Sequence, residues 1–395
     1  MPVSRKRKKS PKSAAAVKAD RRRDNVRRIQ REKSFRDMEA GWDRGRLMRT
    51  ELARPHAAEL AGRLLASPRT GTALEDELCA SLGPLLAELG DLPADGGYVG
   101  PDHLAAALAD DLRDRPGETA GRVLAALAAV LPAPARERAG LTVPARTVAG
   151  EVMWTRDRYG SRFAVVAPFG TTEGPVRWYL WDVDACTFAP MPVHAGFYAS
   201  PEEALAAWQV GVGAVAAGGT TWRRVDDSRL LADLLPSPEE FAALGGESAE
   251  QFAEYHRCRS LAEAVLALPA VLSPEAPETA SDAGPAVFAA WWRKRADRPE
   301  PDDLQDLIEI LFDAWPSLAP DLFDTCSPHR AESVAAQIRA DYRGDVSELM
   351  ALLPDWAAYL AERSGMPADL LDRVLSRLGA EPDVRPSFEQ ARVAE

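Results

Sequence analysis

The sequence predicts an α+β protein, mostly α, in which helical bundles flank a small antiparallel β-meander closed by one helix. Three observations carry this. Short runs rich in Val, Phe, Trp and Tyr crowd between residues 147 and 198, divided by "RDRYGS", "GTTEGP" and "FAPMP". Apolar residues recur at helical spacing on both sides of that stretch. A capped helix start, "SPEEALAAW", follows directly on the last β-like run.

Residues 1–50 form a basic arm. Between Arg5 and Lys33, fourteen Lys or Arg face three Asp or Glu. Over residues 1–50 the balance is 18 against 6, net +12; the whole chain has 48 against 60, so residues 51–395 hold 30 against 54, net -24. Six of the seven lysines lie at positions 6–33 and only Lys294 lies beyond, so the lysines are concentrated where the positive charge is. To about residue 17 there is no apolar periodicity, and a block of like charge stays extended and solvated. From Lys18 no Pro or Gly occurs until Gly41, and the composition favours helix. Its apolar points, Val26, Ile29, Met38 and Trp42, make too thin a stripe to bury. Such a segment completes its fold on a phosphate backbone or an acidic protein surface.

Residues 51–146 read as a helical domain of about four helices, with breaks at "SPRTGT", "GDLPADGGYVGP" and "DRPGET". In "GRVLAALAAVLPAP", Val123, Leu124, Leu127 and Val130 keep helical spacing and Pro132 marks the end. Residues 147–226 hold the sheet and its helix. Strands are expected at 147–156, 162–168, 176–184 and 193–198. In the third, Trp178 and Leu180 alternate with Tyr179, Trp181 and Val183, so both faces are apolar and each needs a cover. Ser200 caps the next helix, Pro201 suits its first position and Glu203 completes the S-x-x-E box, so Glu202 to Gln209 folds back on the sheet. "SPEEFAAL" repeats the device at Ser237 to Glu240.

A helical extension at 227–272, a flexible linker at 273–285, a helical C-terminal domain at 286–380 and a disordered tail at 381–395 complete the chain. "DLQDLIEILFDAW" puts Leu304, Leu307, Ile308, Leu311 and Trp315 on one face and Asp303, Asp306, Glu309 and Asp313 largely off it. Further helices are expected at 331–343, 345–363 and 367–378, punctuated by Gly344, Pro354 and the "SGMP" break.

Several functional classes find no signature. There is no run of about 18 apolar residues to span a bilayer and no apolar stretch behind the basic start, so a cytoplasmic protein without a membrane partner is expected. Four scattered cysteines without C-x-x-C read as reduced structural thiols. H-E-x-x-H, G-x-S-x-G and the phosphate-loop pattern do not occur, and "GVGAVA" at 211–216 follows a helix instead of a strand. No catalytic residue and no cofactor is assigned.

Three residue sets still bear on chemistry. His256, Cys258, Cys326 and His329 would supply a tetrahedral zinc set if their segments met, but the short His-x-Cys spacing and the linker between them count against a metal. Asp182 and Asp184 share a strand face, where paired carboxylates bind a hard cation or divide acid and base roles; the plainer reading is a strand end entering a turn. Trp178, Tyr179, Trp181 and Tyr198, near Arg156, Arg158, Arg162 and Arg177, are either a base-stacking platform or a sheet core.

The expected role is that of an interaction protein, leaning away from enzyme, that contacts nucleic acid non-specifically. The contact residues are Arg5, Lys6, Arg7, Lys8, Lys9, Lys12, Arg21, Arg22, Arg23, Arg27, Arg28 and Arg31. The alternatives are a hydrolase or transferase with a pocket beside the sheet, a self-regulating protein whose arm clasps the acidic face at 302–313, or a solvated tail.

Overall fold

In the computed structural model, the described residues are 33, 45–90, 99–115, 117–143, 146–171, 174–186, 190–236, 252–270, 284–297, 299–315, 323–342 and 346–378. Helical residues 45–66 (α1) precede α2 (Gly71–Gly90), α3 (Pro101–Arg113), α4 (Glu118–Val130) and α5 (Ala133–Arg138). Their apolar stripes meet in one core that includes Leu60, Leu64, Leu78, Leu108, Leu127 and Val130. Pro132 ends α4 as expected but also stands at the N-cap of α5, where its fixed φ suits a helix start. α1 runs through position 50, the expected end of the arm.

Six strands form: β1 (Thr147–Val148), β2 (Met153–Arg156), β3 (Arg162–Thr171), β4 (Gly174–Asp184), β5 (Met191–Tyr198) and β6 (Arg223–Arg224). The expected strand 147–156 is split into β1 and β2, and β6, two arginines paired to β2, carries no β-branched or aromatic residue and was not expected. They form an open antiparallel sheet in the order β5-β4-β3-β2-β6, with β1 pairing to the end of β3. The β2–β3 turn is set by chemistry in its own sequence. Asp157 Oδ1 accepts from the Ser161 and Arg162 N–H groups at 2.9 and 3.1 Å, and Gly160 supplies φ +71°, which side-chain-bearing residues resist.

The alternation in β4 splits two cores across the sheet. On one face Ala164, Val166 and Leu180 pack with α6 (Pro201–Val212), α7 (Ala214–Ala217) and the C-terminal helices. On the other, Phe163, Val165, Trp181 and Val183 pack with α8 (Ser228–Leu234) and α9 (Phe252–Leu266). α9 also touches α2 and α4, so it lies between the sheet and the first helices.

α6 is capped nearly as the sequence implies. Ser200 Oγ accepts from the Glu203 N–H at 3.2 Å, but Glu203 Oε2 accepts from Ala199 N–H at 2.9 Å, one residue earlier than a reciprocal box requires. Ala204 and Trp208 are the buried anchors of this helix. Ser200→Ala is expected to cost about 1 kcal/mol, read as a lowered midpoint of chemical unfolding, because one N-terminal N–H loses its acceptor. "SPEEFAAL" at 237–244 lies outside the described residues.

The remaining helices are α10 (Pro285–Arg295), α11 (Leu304–Ala314), α12 (Pro328–Asp341), α13 (Ser347–Ser364) and α14 (Ala368–Leu378). Pro285, the last residue of the expected linker, is instead the first residue of α10. Pro354 does not punctuate either; it lies inside α13, where buried Leu352, Leu353, Trp356 and Leu360 hold the turns around it. In α11 the expected apolar face is buried, and Asp303, Asp306, Glu309 and Asp313 are exposed. Trp356 joins these helices, with Phe288, Phe312 and Tyr359 rings 5.0, 4.7 and 5.4 Å away.

Candidate functional site

The strand register brings Asp182, Asp184 and Arg162 to one corner of the sheet. Arg162 lies opposite Asp184 and two pairs along from Asp182, on the same face of the sheet, so its side chain reaches both. The guanidinium grips Asp182 with both prongs, Nε to Oδ1 at 2.8 Å and Nη2 to Oδ2 at 3.0 Å. Trp208 Nε1 donates to the same Oδ1 at 3.1 Å from α6. Burial by itself draws the Arg162 pKa down; the bond to Asp182 and the charges of both carboxylates outweigh it, and the net shift is upward.

Asp184 is tied less completely. Its Oδ1 accepts from Cys186 N–H at 2.7 Å, while Oδ2 is buried without a hydrogen-bond partner, with Arg162 Nη1 and His329 Nε2 each 3.6 Å away. Beside it, Cys186 Sγ and Ser327 Oγ are 3.2 Å apart, and Ser327 caps α12 by accepting from Arg330 N–H. Burial, then the Asp184 charge, raises the Cys186 pKa well above that of an ordinary thiol, which disfavours the thiolate. Arg330 is fully buried, donates to Thr325 O and Oγ1 at 3.2 and 2.6 Å, and lies over the Trp315 ring at 4.8 Å. Burial holds its pKa below the usual arginine value.

With Asp182 at 2% and Asp184 at 1% exposure, neither carboxylate meets solvent. The pair is enclosed and held by Arg162. It works as a clasp between the sheet, α6 and the start of α12.

A second ionic cluster joins α2, α9 and β4. Arg257, 2% exposed, reaches Asp76 Oδ1 at 2.7 Å and pairs with Glu254, which also accepts a short bond from Tyr179 OH. Arg177 Nη1 donates to Asp76 Oδ2 at 2.6 Å, and Arg146 Nη2 lies 2.6 Å from Glu75 Oε1. Burial, followed by the Glu254 charge, raises the Tyr179 pKa, so its hydroxyl stays a donor.

The other expected sets come apart. Cys258 belongs to the core on the α9 side of the sheet and Cys326 to the core on the α6 side, so the sheet stands between the halves of the zinc set. His256 stacks edge-on with Tyr255, and His329 faces Asp184. Among the described residues, no group of three His, Cys, Asp or Glu is placed to hold a metal. Burial pushes the Cys326 thiol up to about 12. The stacking platform is absent as well: Tyr179 and Trp181 are fully buried, and Trp178 and Tyr198 pack against the core beneath α6. "GVGAVA" is the α6–α7 junction, with Gly213 at φ +100°.

The twelve contact residues named above, from Arg5 to Arg31, lie outside the described residues. Among the described residues no helix is long and apolar enough to cross a membrane. The buried arginines escaped notice in the sequence, although a signal existed. Arg257 falls four residues after Ala253 and four before Leu261, both buried, so it sits on a buried stripe and needs internal acids. Compared with protein-family models, curated proteins and solved structures, the chain matches none.

Proposed function

We propose that this chain is a non-enzymatic interaction protein that engages nucleic acid through the basic residues between Arg5 and Arg31. The observation that carries this is the charge partition, net +12 in residues 1–50 against net -24 in the rest. Cations at that density neutralise phosphates and release condensed counterions without needing a fixed fold. The competing enzyme reading loses support because Asp182 and Asp184 are enclosed and matched by Arg162.

The test compares the full chain with a full-length variant in which the twelve basic residues become Gln. DNA and RNA binding is measured at about 50 and 200 mM salt, where some 6–10 phosphate contacts change affinity by about 10³–10⁵. The native chain should show that steep slope and the variant should lose it. Equal binding by both rejects the proposal.

The exposed carboxylates of α11 support a regulated form of the same reading, in which the arm rests on that face between encounters. Neutralising Asp303, Asp306, Glu309 and Asp313 with Asn and Gln should then raise nucleic-acid affinity. Unchanged affinity removes the clasp and leaves the arm's own role intact.

A further inference from the structure

The ends of α14 and α12, with α7 and the β2–β3 turn, enclose a hollow of about 90 Å³. Tyr159, Ala216 and Pro328 are its buried wall and Val215 is half-buried; Arg373, Ser376 and Arg377 lie toward solvent. The wall is fixed by Arg158: its main-chain N–H donates to Ala216 O at 2.8 Å, and its side-chain Nη1 to Val215 O at 3.2 Å.

Arg373 and Arg377 are one helical turn apart, so their side chains reach the same side of α14. Neither has an acidic partner among the described residues. In the same group of helices Arg293, Arg295 and Arg363 are matched by Glu300, Glu362 and Asp324. The acid that lies closest in sequence on the same helix stripe, Asp369, is engaged by Arg158 at 3.4 Å. Ser376 Oγ donates to Arg373 O at 2.8 Å, and the charged residues lining the hollow are Arg373 and Arg377.

We infer that this hollow is an oxyanion site that takes one phosphate group between Arg373 and Arg377. A planar guanidinium matches phosphate oxygens with paired N–H bonds, and an apolar wall behind the anion strengthens the attraction by excluding water. The size fits. A water needs about 10–15 Å³ of such space, so the hollow holds several waters' worth, enough for a phosphate group but not for a nucleobase beside it. The rest of the ligand stays outside, in solvent. This inference goes beyond the arm and does not depend on it, because every residue involved lies between 158 and 377.

The test is calorimetric titration of the full chain with inorganic phosphate, at ionic strength held constant with chloride, against Arg373→Ala/Arg377→Ala. Saturable binding is expected, weakened about tenfold or more in the variant. The thermal midpoint without phosphate should match that of the native chain, since neither side chain supports the core. Absence of saturable binding, or equal affinity in the variant, overturns the site. Single-stranded oligonucleotide then separates the two sources of phosphate. If backbone phosphates dock here, the variant lowers the salt slope by about 0.7, the value for one phosphate on a single strand; an unchanged slope alongside lost phosphate binding assigns the site to a free phosphate-bearing molecule. The arm variant carrying Gln at its twelve positions must keep phosphate binding in either case, which separates failure of the arm from failure of the hollow.

Discussion

Arg257→Ala should destabilise the folded chain by about 3–5 kcal/mol, as removal of one member of a buried ionic set does. The guanidinium is nearly sealed from solvent, yet it joins Asp76 of α2 to Glu254 of its own helix and lies over the Phe197 ring at 5.2 Å. Its loss leaves those half-buried carboxylates beside a cavity, with Arg177 and Tyr179 as their remaining side-chain donors. Chemical unfolding followed by circular dichroism gives the number. A loss under about 1 kcal/mol, the range of an exposed pair, would show that the α2–α9–β4 junction rests on its apolar contacts alone. Arg257→Lys keeps the charge but cannot span Asp76 and Glu254 with one fork, so it should recover only part of the loss.

Asp182→Ala should cost a similar amount, about 3–5 kcal/mol, for a related reason. Arg162 would keep only the 3.6 Å approach to Asp184, and Trp208 Nε1 would lose its acceptor inside the core. The informative comparison is the double variant Arg162→Met/Asp182→Leu. Removing both members avoids a stranded guanidinium and leaves Asp184 with His329 Nε2 at 3.6 Å as its nearest cationic group, so the double variant should be more stable than Arg162→Met alone, which strands both carboxylates. If the two changes simply add, the corner is not the coupled ionic clasp described above. Nucleic-acid affinity of the folded Asp182→Ala protein should equal that of the native chain, because the group never reaches the surface.

Much of the fold was legible because local rules and global packing agree. The three later strand runs, the Ser200 cap and the stripe Leu304, Leu307, Ile308 and Leu311 stand where the periodicity puts them, while the first run divides into β1 and β2. Proline was the recurring error. A proline weakens its own turn, but whether it breaks a helix depends on how much apolar surface the neighbouring turns bury, and that is a property of partners distant in sequence. Pro354 persists inside α13 because Trp356 and Leu360 are already committed to the core.

The candidate sites divide the same way. Asp182 and Asp184 share a strand face simply because successive side chains alternate, and the sequence alone could say so. What they do was decided by register: β3 pairs antiparallel with β4 so that Arg162 meets Asp184, and the cation that neutralises the pair arrives from twenty residues away. Likewise Arg373 and Arg377 are one turn apart by helical geometry, while the apolar wall they face comes from segments more than forty residues earlier. Composition, periodicity and charge partition are sums over neighbours along the chain and survive without folding. Enclosure and pairing belong to side chains that meet only after the chain has closed on itself.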